Sequence, residues 1–315
     1  MGGLLLVAAL RQSAIGVVVG AMLSPLPLAM VVFGLGNNFL PLAVVSGAIT
    51  VAVLTGSFAL SAVFLAVDAA PIAVLSRLSL AALSVEKPVT GSALGRTVCV
   101  LVAIAVAAVV VGLIAMSAGS TGVEGGIEAV LRTRMDAVLT AAVPTVPDGS
   151  NSFGGTDFAT ARTEILQTMV RFLPGLAAWD WCLRAILSAG LAQVMLTKMN
   201  LAAWPTPVYR DFTAPQWFFV LFGTATLAAV ALKGDAGFIV TNAAAILSLP
   251  LILQGLAVVH TVAARLKYRL AWLFVFYVLS LVMAAFFLVV LVALSVMDHF
   301  LQIRARFLSP RTGGE

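Results

Sequence analysis

The sequence predicts an all-α protein, a polytopic helical membrane bundle of eight or nine transmembrane segments with one amphipathic-helix insertion. Three observations predict it. From Gln12 to Val67 the chain runs 56 residues without an Asp, Glu, Lys or Arg, and comparable stretches recur to its end. It is 62% hydrophobic and 10% charged, where soluble domains carry about 25% charged residues. The apolar runs are continuous, without the period-two alternation of barrel strands. A helix crosses the ~30 Å hydrocarbon core in roughly 20 residues, with its backbone groups satisfied internally. No polar segment is long enough for a soluble domain, so residues 1–315 read as a single integral membrane domain.

The first span is about Gly3–Leu23, since Arg11 interrupts the run and no basic leader precedes it. Ser24-Pro25-Leu26-Pro27 then breaks the helix, because each proline lacks a donor and disfavours helical geometry in its predecessor. Leu28–Leu35 is short and ends at Gly36-Asn37-Asn38, so 25–38 is expected to be a short or interrupted helix inside the bundle. Spans at about Phe39–Thr55 and Phe58–Leu78 are separated by Gly56-Ser57. Arg77, Glu86, Lys87, Pro88 and Arg96 mark a polar loop before a span at Thr97–Ala118.

Residues 119–172 form a polar insertion. Val123, Ile127, Val130, Leu131, Val138 and Leu139 keep helical spacing there, which predicts an amphipathic helix. Pro144, Pro147 and Gly154-Gly155 mark an irregular connector, and a second amphipathic helix starts at Asp157. Pro174 suits the first turn of the next span, Pro174–Met199. A linker at 200–216 mixes Trp204, Tyr209 and Arg210 with prolines, as the headgroup zone favours. The last spans read as Trp217–Leu232, Gly237–Val262 and Leu270–Met297, and 298–315 reads as a mobile tail.

Short loops set the orientation. Placing 77–96, 198–216 and 265–269 in the cytoplasm puts eight Lys and Arg there, against Lys233 alone in the opposing short loop. The insertion, with six acids and four bases, then lies outside. This tracing also puts the tail outside with Arg304, Arg306 and Arg311, which the positive-inside rule disfavours. The net charge of +5 fits loops held against anionic lipid and no nucleic-acid partner.

A charge near the bilayer centre costs at least about 2.5–3.5 kcal/mol, so each one needs a reason. Asp68 sits mid-span with Pro71 one turn later, as a solute or ion ligand, a proton carrier, a structural partner for an arginine, or a neutral acid hydrogen-bonded to a carbonyl that Pro71 frees. Asp180 and Arg184 share a helix face and can pair. With Trp179 and Trp181 they read either as a charged patch beside aromatic walls suited to a small ring or cation, or, more simply, as an ion pair neutralised within its own helix. Arg11 can snorkel or meet Asp68. Pro25, Pro27, Asn37, Asn38, Gln254 and His260 are candidate polar linings. Gln254 and His260, six apart, face different sides of their helix and read as interhelical glue, as does Asn242. Gly16 and Gly20, followed by Ser24, form a small-residue packing groove. No metalloprotease motif, phosphate loop or Cys/His metal cluster occurs, and Cys99 and Cys182 lie in apolar runs. No catalytic residue, metal or cofactor is expected, and the protein is not expected to be an enzyme.

Three stretches resemble the YybS-like family of bacterial membrane proteins: Pro25-Leu26-Pro27-Leu28 with Gly34-Leu35-Gly36, then Leu253-Gln254-Gly255-Leu256-Ala257-Val258-Val259-His260, then Asp298 with Arg304 and Arg306. That family is distantly similar to the substrate-binding S components of energy-coupling-factor transporters, and offers no family-wide ligand residues to carry over. The resemblance implies a multi-pass protein of the bacterial inner membrane that binds a small solute and docks an energising partner. The chain departs from the S-component pattern in having more than six spans and a 54-residue insertion. The expected function is a substrate-binding or translocation subunit, and the alternative is a non-transporting scaffold acting through Gly16/Gly20 or the 123–139 helix. Expected partners are membrane lipid and a membrane protein.

Overall fold

A computed structural model of the chain describes residues 20–85, 91–119, 126–142, 155–203, 206 and 208–308. All regular structure among them is helical. The helices are α1 Leu26–Leu35, α2 Leu40–Thr55, α3 Phe58–Phe64, α4 Ala70–Val85, α5 Gly91–Gly119 and α6 Gly126–Ala142. They continue as α7 Gly155–Lys198, α8 Gln216–Ala231, α9 Gly234–Ala263, α10 Arg269–Val282, α11 Ala284–Leu301 and α12 Ile303–Leu308. Among the described residues five helical stretches are long and apolar enough to cross a bilayer: Asn37–Thr55, Phe58–Ser79, Ala93–Ala118, Gly234–Ala263 and Ala284–Leu301. Gly20–Leu35, Gln216–Ala231 and Arg269–Val282 are shorter apolar helices. Exposed apolar side chains such as Phe58, Val230 and Leu281 are then ordinary, because lipid is the solvent.

The chain divides into two compact units. One holds the described residues of 1–102, 180–219 and 248–315, and the other 103–179 and 220–247. In the first, Gly56 (φ 65°) turns the chain between α2 and α3, and the Ser57 hydroxyl caps α3 by accepting from Leu60 N–H. The two helices pack closely where the Phe64 ring lies against Gly47 and the Ser61 hydroxyl donates to the Ala48 carbonyl at 2.6 Å.

In the second unit, Leu113, Ile127 and Phe238 form the core, with Leu131 packed on it. Asp235 near the start of α9 accepts from Ile127 N–H at 2.9 Å, so α6 is tied down at its first turn. The first turn of α6 and the Lys233 loop therefore share one end of this unit.

Three boundaries differ from the sequence reading. The amphipathic helix expected from Asp157 and the span expected from Pro174 are one helix, α7, with Pro174 in its interior. An interior proline removes a donor and crowds the i−4 carbonyl. Asn242 repairs the damage from α9: its Oδ1 accepts from Gly175 N–H at 2.8 Å and its Nδ2 donates to the Arg171 carbonyl at 3.1 Å. The amide bridges the very pair that the helix ladder would have joined.

The second difference is Leu270–Met297. It is two helices, α10 and α11, divided at Met283 (φ −116°, ψ 45°). Phe276 and Phe287, eleven residues apart, bring their rings to 5.3 Å. A straight helix would hold them about 16 Å apart at 1.5 Å per residue, so the chain bends sharply at Met283.

The third follows from it. Asp298 lies within α11, which runs to Leu301, and α12 follows, so 298–308 is helical apart from Gln302 (φ 49°) between the two. Arg304 donates to the carbonyls of Arg210 and Phe212. The start of the tail thus lies at the same end of the unit as the 198–216 linker, not opposite it.

Candidate functional site

Asp68 is almost fully buried, 1% exposed, on a π-helical turn at Leu65–Ala69. Pro71 explains the turn: it cannot donate to the Val67 carbonyl and its ring crowds that oxygen. The ladder shifts, so that Ala70 N–H donates to Leu65 rather than to Ala66. The Ala66 carbonyl loses its partner, and the Trp181 indole Nε1–H donates to it at 3.0 Å.

A second proline repeats the logic. The helical residues 20–23 are offset from α1 by a turn at Ser24-Pro25. Pro25 has no N–H for the Ala21 carbonyl, which instead accepts from the Ser24 hydroxyl at 3.1 Å and from Arg184 Nη1 at 3.4 Å. The Ser188 hydroxyl reaches the Met22 carbonyl at 3.4 Å. Trp181, Arg184 and Ser188 recur at three- and four-residue spacing, so one face of α7 caps the oxygens that both proline breaks release.

Within this frame Arg184 stands between two acids. Its Nε is 3.0 Å from Asp180 Oδ2, and its Nη1 is 3.8 Å from Asp68 Oδ1. The first contact is an ion pair by distance without hydrogen-bond alignment; among the described residues Arg184 Nε and Asp68 Oδ1 are both buried atoms with no hydrogen-bond partner. Ser24 lies beside the Asp68 carboxyl. Asp180 is far more open, its side chain 46% exposed. With both acids ionised the described cluster carries a formal charge of −1, and Asp68 keeps an unfilled acceptor in a low-dielectric place.

The structure joins Asp68, Asp180, Trp181 and Arg184, as the site hypothesis needs. Trp179 is half-buried and belongs to the other unit. Arg11 and Gly16 lie outside the described residues; Gly20 is half-buried where the described chain begins. Pro25 belongs to the cluster through the carbonyl it frees, whereas Pro27 sits in the first turn of α1. Leu28, Ala29, Val32 and Phe33 of that helix are buried, and Gly36 (φ 98°) ends it. The short interrupted helix expected at 25–38 is thus packed inside its unit. Asn37 accepts from Ser76 Oγ at 3.1 Å, two turns along from Asp68, and Asn38 is exposed.

Gln254 and His260 serve other contacts. The Gln254 Oε1 accepts from Ala214 N–H at 2.8 Å, and its Nε2 donates to Asp298 Oδ2 at 3.4 Å. Asp298 also takes Arg304 N–H at 3.0 Å and Arg304 Nε at 2.7 Å. The Tyr209 hydroxyl donates to the Leu253 carbonyl at 2.7 Å, and burial pushes its phenol pKa up, so it stays a neutral donor. His260 Nε2 meets the Tyr277 hydroxyl at 2.8 Å. Sequence reasoning missed the Asp298–Arg304 pair. The signal was an acid at the end of an apolar helix followed six residues later by an arginine, read as tail.

These features define a helical membrane protein with a buried polar cluster inside one unit and no metal-binding group of His, Cys, Asp or Glu among the described residues. The model of the predicted membrane protein family DUF2232 matches residues 4–299, and the chain belongs to that family. No curated protein and no solved structure matches it.

Proposed function

We propose that this protein is the binding or translocation subunit for a small solute bearing a ring or a cationic group, without catalysis of its own. The observation that carries the reading is Asp68: buried, on a π-turn and, among the described residues, 3.8 Å from Arg184 with one oxygen that accepts no hydrogen bond. A donor on a solute would fill that acceptor, with Trp181 and Asp180 beside it. Intramembrane acids and broken helices are recurrent parts of transport sites. The resemblance to YybS-like proteins and, more distantly, to transporter S components points the same way, with a separate partner supplying energy. The setting is a bacterial inner membrane, crossed several times, with the basic 77–96, 198–216 and 265–269 loops in the cytoplasm.

A vitamin and metabolite panel screened by thermal shift should reveal a stabilising solute. Asp68→Asn and Arg184→Gln should abolish that shift while the protein stays folded. If nothing in the panel moves the melting temperature, the reading loses its main support. For orientation, Ser150→Cys should react with an impermeant thiol reagent in intact cells and Ser84→Cys should not. The native Cys99 and Cys182 are buried, so background labelling is low.

The scaffold alternative relied on the 123–139 helix and the Gly16/Gly20 face. In the first of these, Ile127 and Leu131 already pack on Leu113 and Phe238 of their own unit, which leaves that apolar stripe little to offer a partner. Co-purification from native membranes separates the readings: an ATPase favours transport, and a division or envelope protein favours a scaffold.

A further inference from the structure

We propose that Asp68 is an exchangeable proton site, its carboxyl holding a proton until a cation fills the open oxygen. This deepens the solute reading above and rests on it for what displaces the proton. Asp68 stands midway along Phe58–Ser79, a stretch long and apolar enough to cross the bilayer, and is 1% exposed. Among the described residues two acids, Asp68 and Asp180, face one cation, Arg184. Arg184 favours Asp180, at 3.0 Å against 3.8 Å for Asp68. The cost of burying an ionised carboxylate is offset only by close, well-aligned donors on its oxygens. Among the described residues Asp68 Oδ1 has none. A proton on Asp68 removes the unmatched charge and leaves Arg184 and Asp180 as a neutral pair.

The neighbours suit both forms of the acid. A hydroxyl donates once and accepts through two lone pairs. Buried Ser24 gives its hydrogen to the Ala21 carbonyl at 3.1 Å, so its oxygen is open to the O–H of a neutral Asp68 beside it. When the proton leaves, the same hydroxyl can turn and donate to the carboxylate, because Arg184 Nη1 keeps the Ala21 carbonyl at 3.4 Å. Nη1 carries a second hydrogen, and a small closure from 3.8 Å brings it to Asp68 Oδ1. A solute ammonium or guanidinium would supply the missing donor and the missing charge together, releasing one proton to water for each cation bound. The other polar neighbour, Trp181, is committed to the Ala66 carbonyl. Along the chain no charged residue lies between Gln12 and Val67, and the next one after Asp68, Arg77, is more than two helical turns on.

The test is an infrared pH titration of the full chain in a maltoside detergent, which has no carbonyl of its own. It reads the C=O stretch of protonated carboxylic acids. A band should be present in acid, vanish at alkaline pH and be missing from Asp68→Asn. Arg184→Gln removes the cation that receives the carboxylate, so the band should persist to a pH about one unit higher. Asp180→Asn frees Arg184 for Asp68, so the band should vanish at lower pH than in the wild type. A wild type without a band that Asp68→Asn removes overturns the proposal, as does a band whose pH range Arg184→Gln leaves unmoved. A band that appears only in Arg11→Gln also overturns it, by making Arg11 the fixed counter-ion of Asp68. Should Arg184→Gln fail to fold, the wild type against Asp68→Asn still decides. A titrating band with no stabilising solute in the panel leaves the proton site standing and removes the solute reading; a solute without the band does the reverse.

Discussion

Two buried Asp–Arg pairs lie within one compact unit, and they are built to different standards. Arg304 meets Asp298 at 2.7 Å, both carboxylate oxygens are bonded, and the guanidinium also serves the Arg210 and Phe212 carbonyls. Gln254 joins the same carboxylate and the Ala214 amide. Arg184 instead divides itself between Asp180 and a distant Asp68, and leaves Asp68 Oδ1 unbonded. Completing a buried polar network rigidifies it, whereas leaving one incomplete carries an energetic penalty. The first pair fastens α11, α12 and the 208–214 linker together. The second holds its helices through capped carbonyls and keeps an acceptor in reserve. That contrast marks Asp68, not Asp298, as the place for a ligand.

The contrast breaks most visibly at Arg304. Arg304→Met should cost about 3–5 kcal/mol, because it leaves the Asp298 charge and two carbonyls buried without their partner. Thermal unfolding in detergent measures it, and a melting point equal to wild type would remove the idea of a structural lock. Next comes Gly255→Ala. A Cβ there would collide with the Leu291 backbone, which cannot swing aside as a side chain can. The overpacking should cost about 1–3 kcal/mol, seen as a lower midpoint in the same assay.

Trp181→Phe keeps an aromatic ring, though a smaller one, and removes the donor to Ala66. About 1 kcal/mol should go, the net worth of one hydrogen bond, with amide exchange rising first around 65–70. Unchanged exchange there would mean the π-turn does not depend on the indole. The smallest effect belongs to Asp68→Asn. Arg184 keeps Asp180 as its counter-ion, so stability should fall by no more than about 1 kcal/mol, well below the usual cost of breaking a buried pair. A loss as large as that of Arg304→Met would make Asp68 another lock and weaken its claim as a solute site.

The residues that the sequence singled out were those whose chemistry clashes with lipid. Asp68, Asp180 and Arg184 stand out in apolar runs, and Pro25 and Pro71 announce breaks in the ladder. Local spacing alone showed that Asp180 and Arg184 share a face. What spacing cannot show is a partner from another helix. The meeting of Arg184 with Asp68 is 116 residues apart in sequence, and the bond from Trp181 to Ala66 is 115. Asn242 likewise looked like glue, but its insertion between Gly175 and Arg171 depends on where α9 crosses α7.

Lipid solvation determined by itself that this is a helical membrane protein, because an apolar run of this length with no alternation has no other way to satisfy its backbone. Proline and glycine chemistry also marked where helices yield at Gly56 and Pro25, whereas the span expected at Phe58–Leu78 ran unbroken through Pro71 and only the structure showed the π-turn there. The tertiary structure alone decided how the proline at 174 is absorbed and that 270–297 bends at Met283. It alone showed that Arg304 returns to the Arg210 and Phe212 carbonyls. Hydropathy registers burial in lipid but not direction. A bent and a straight run of equal apolarity look the same until side chains such as Phe276 and Phe287 are seen to touch.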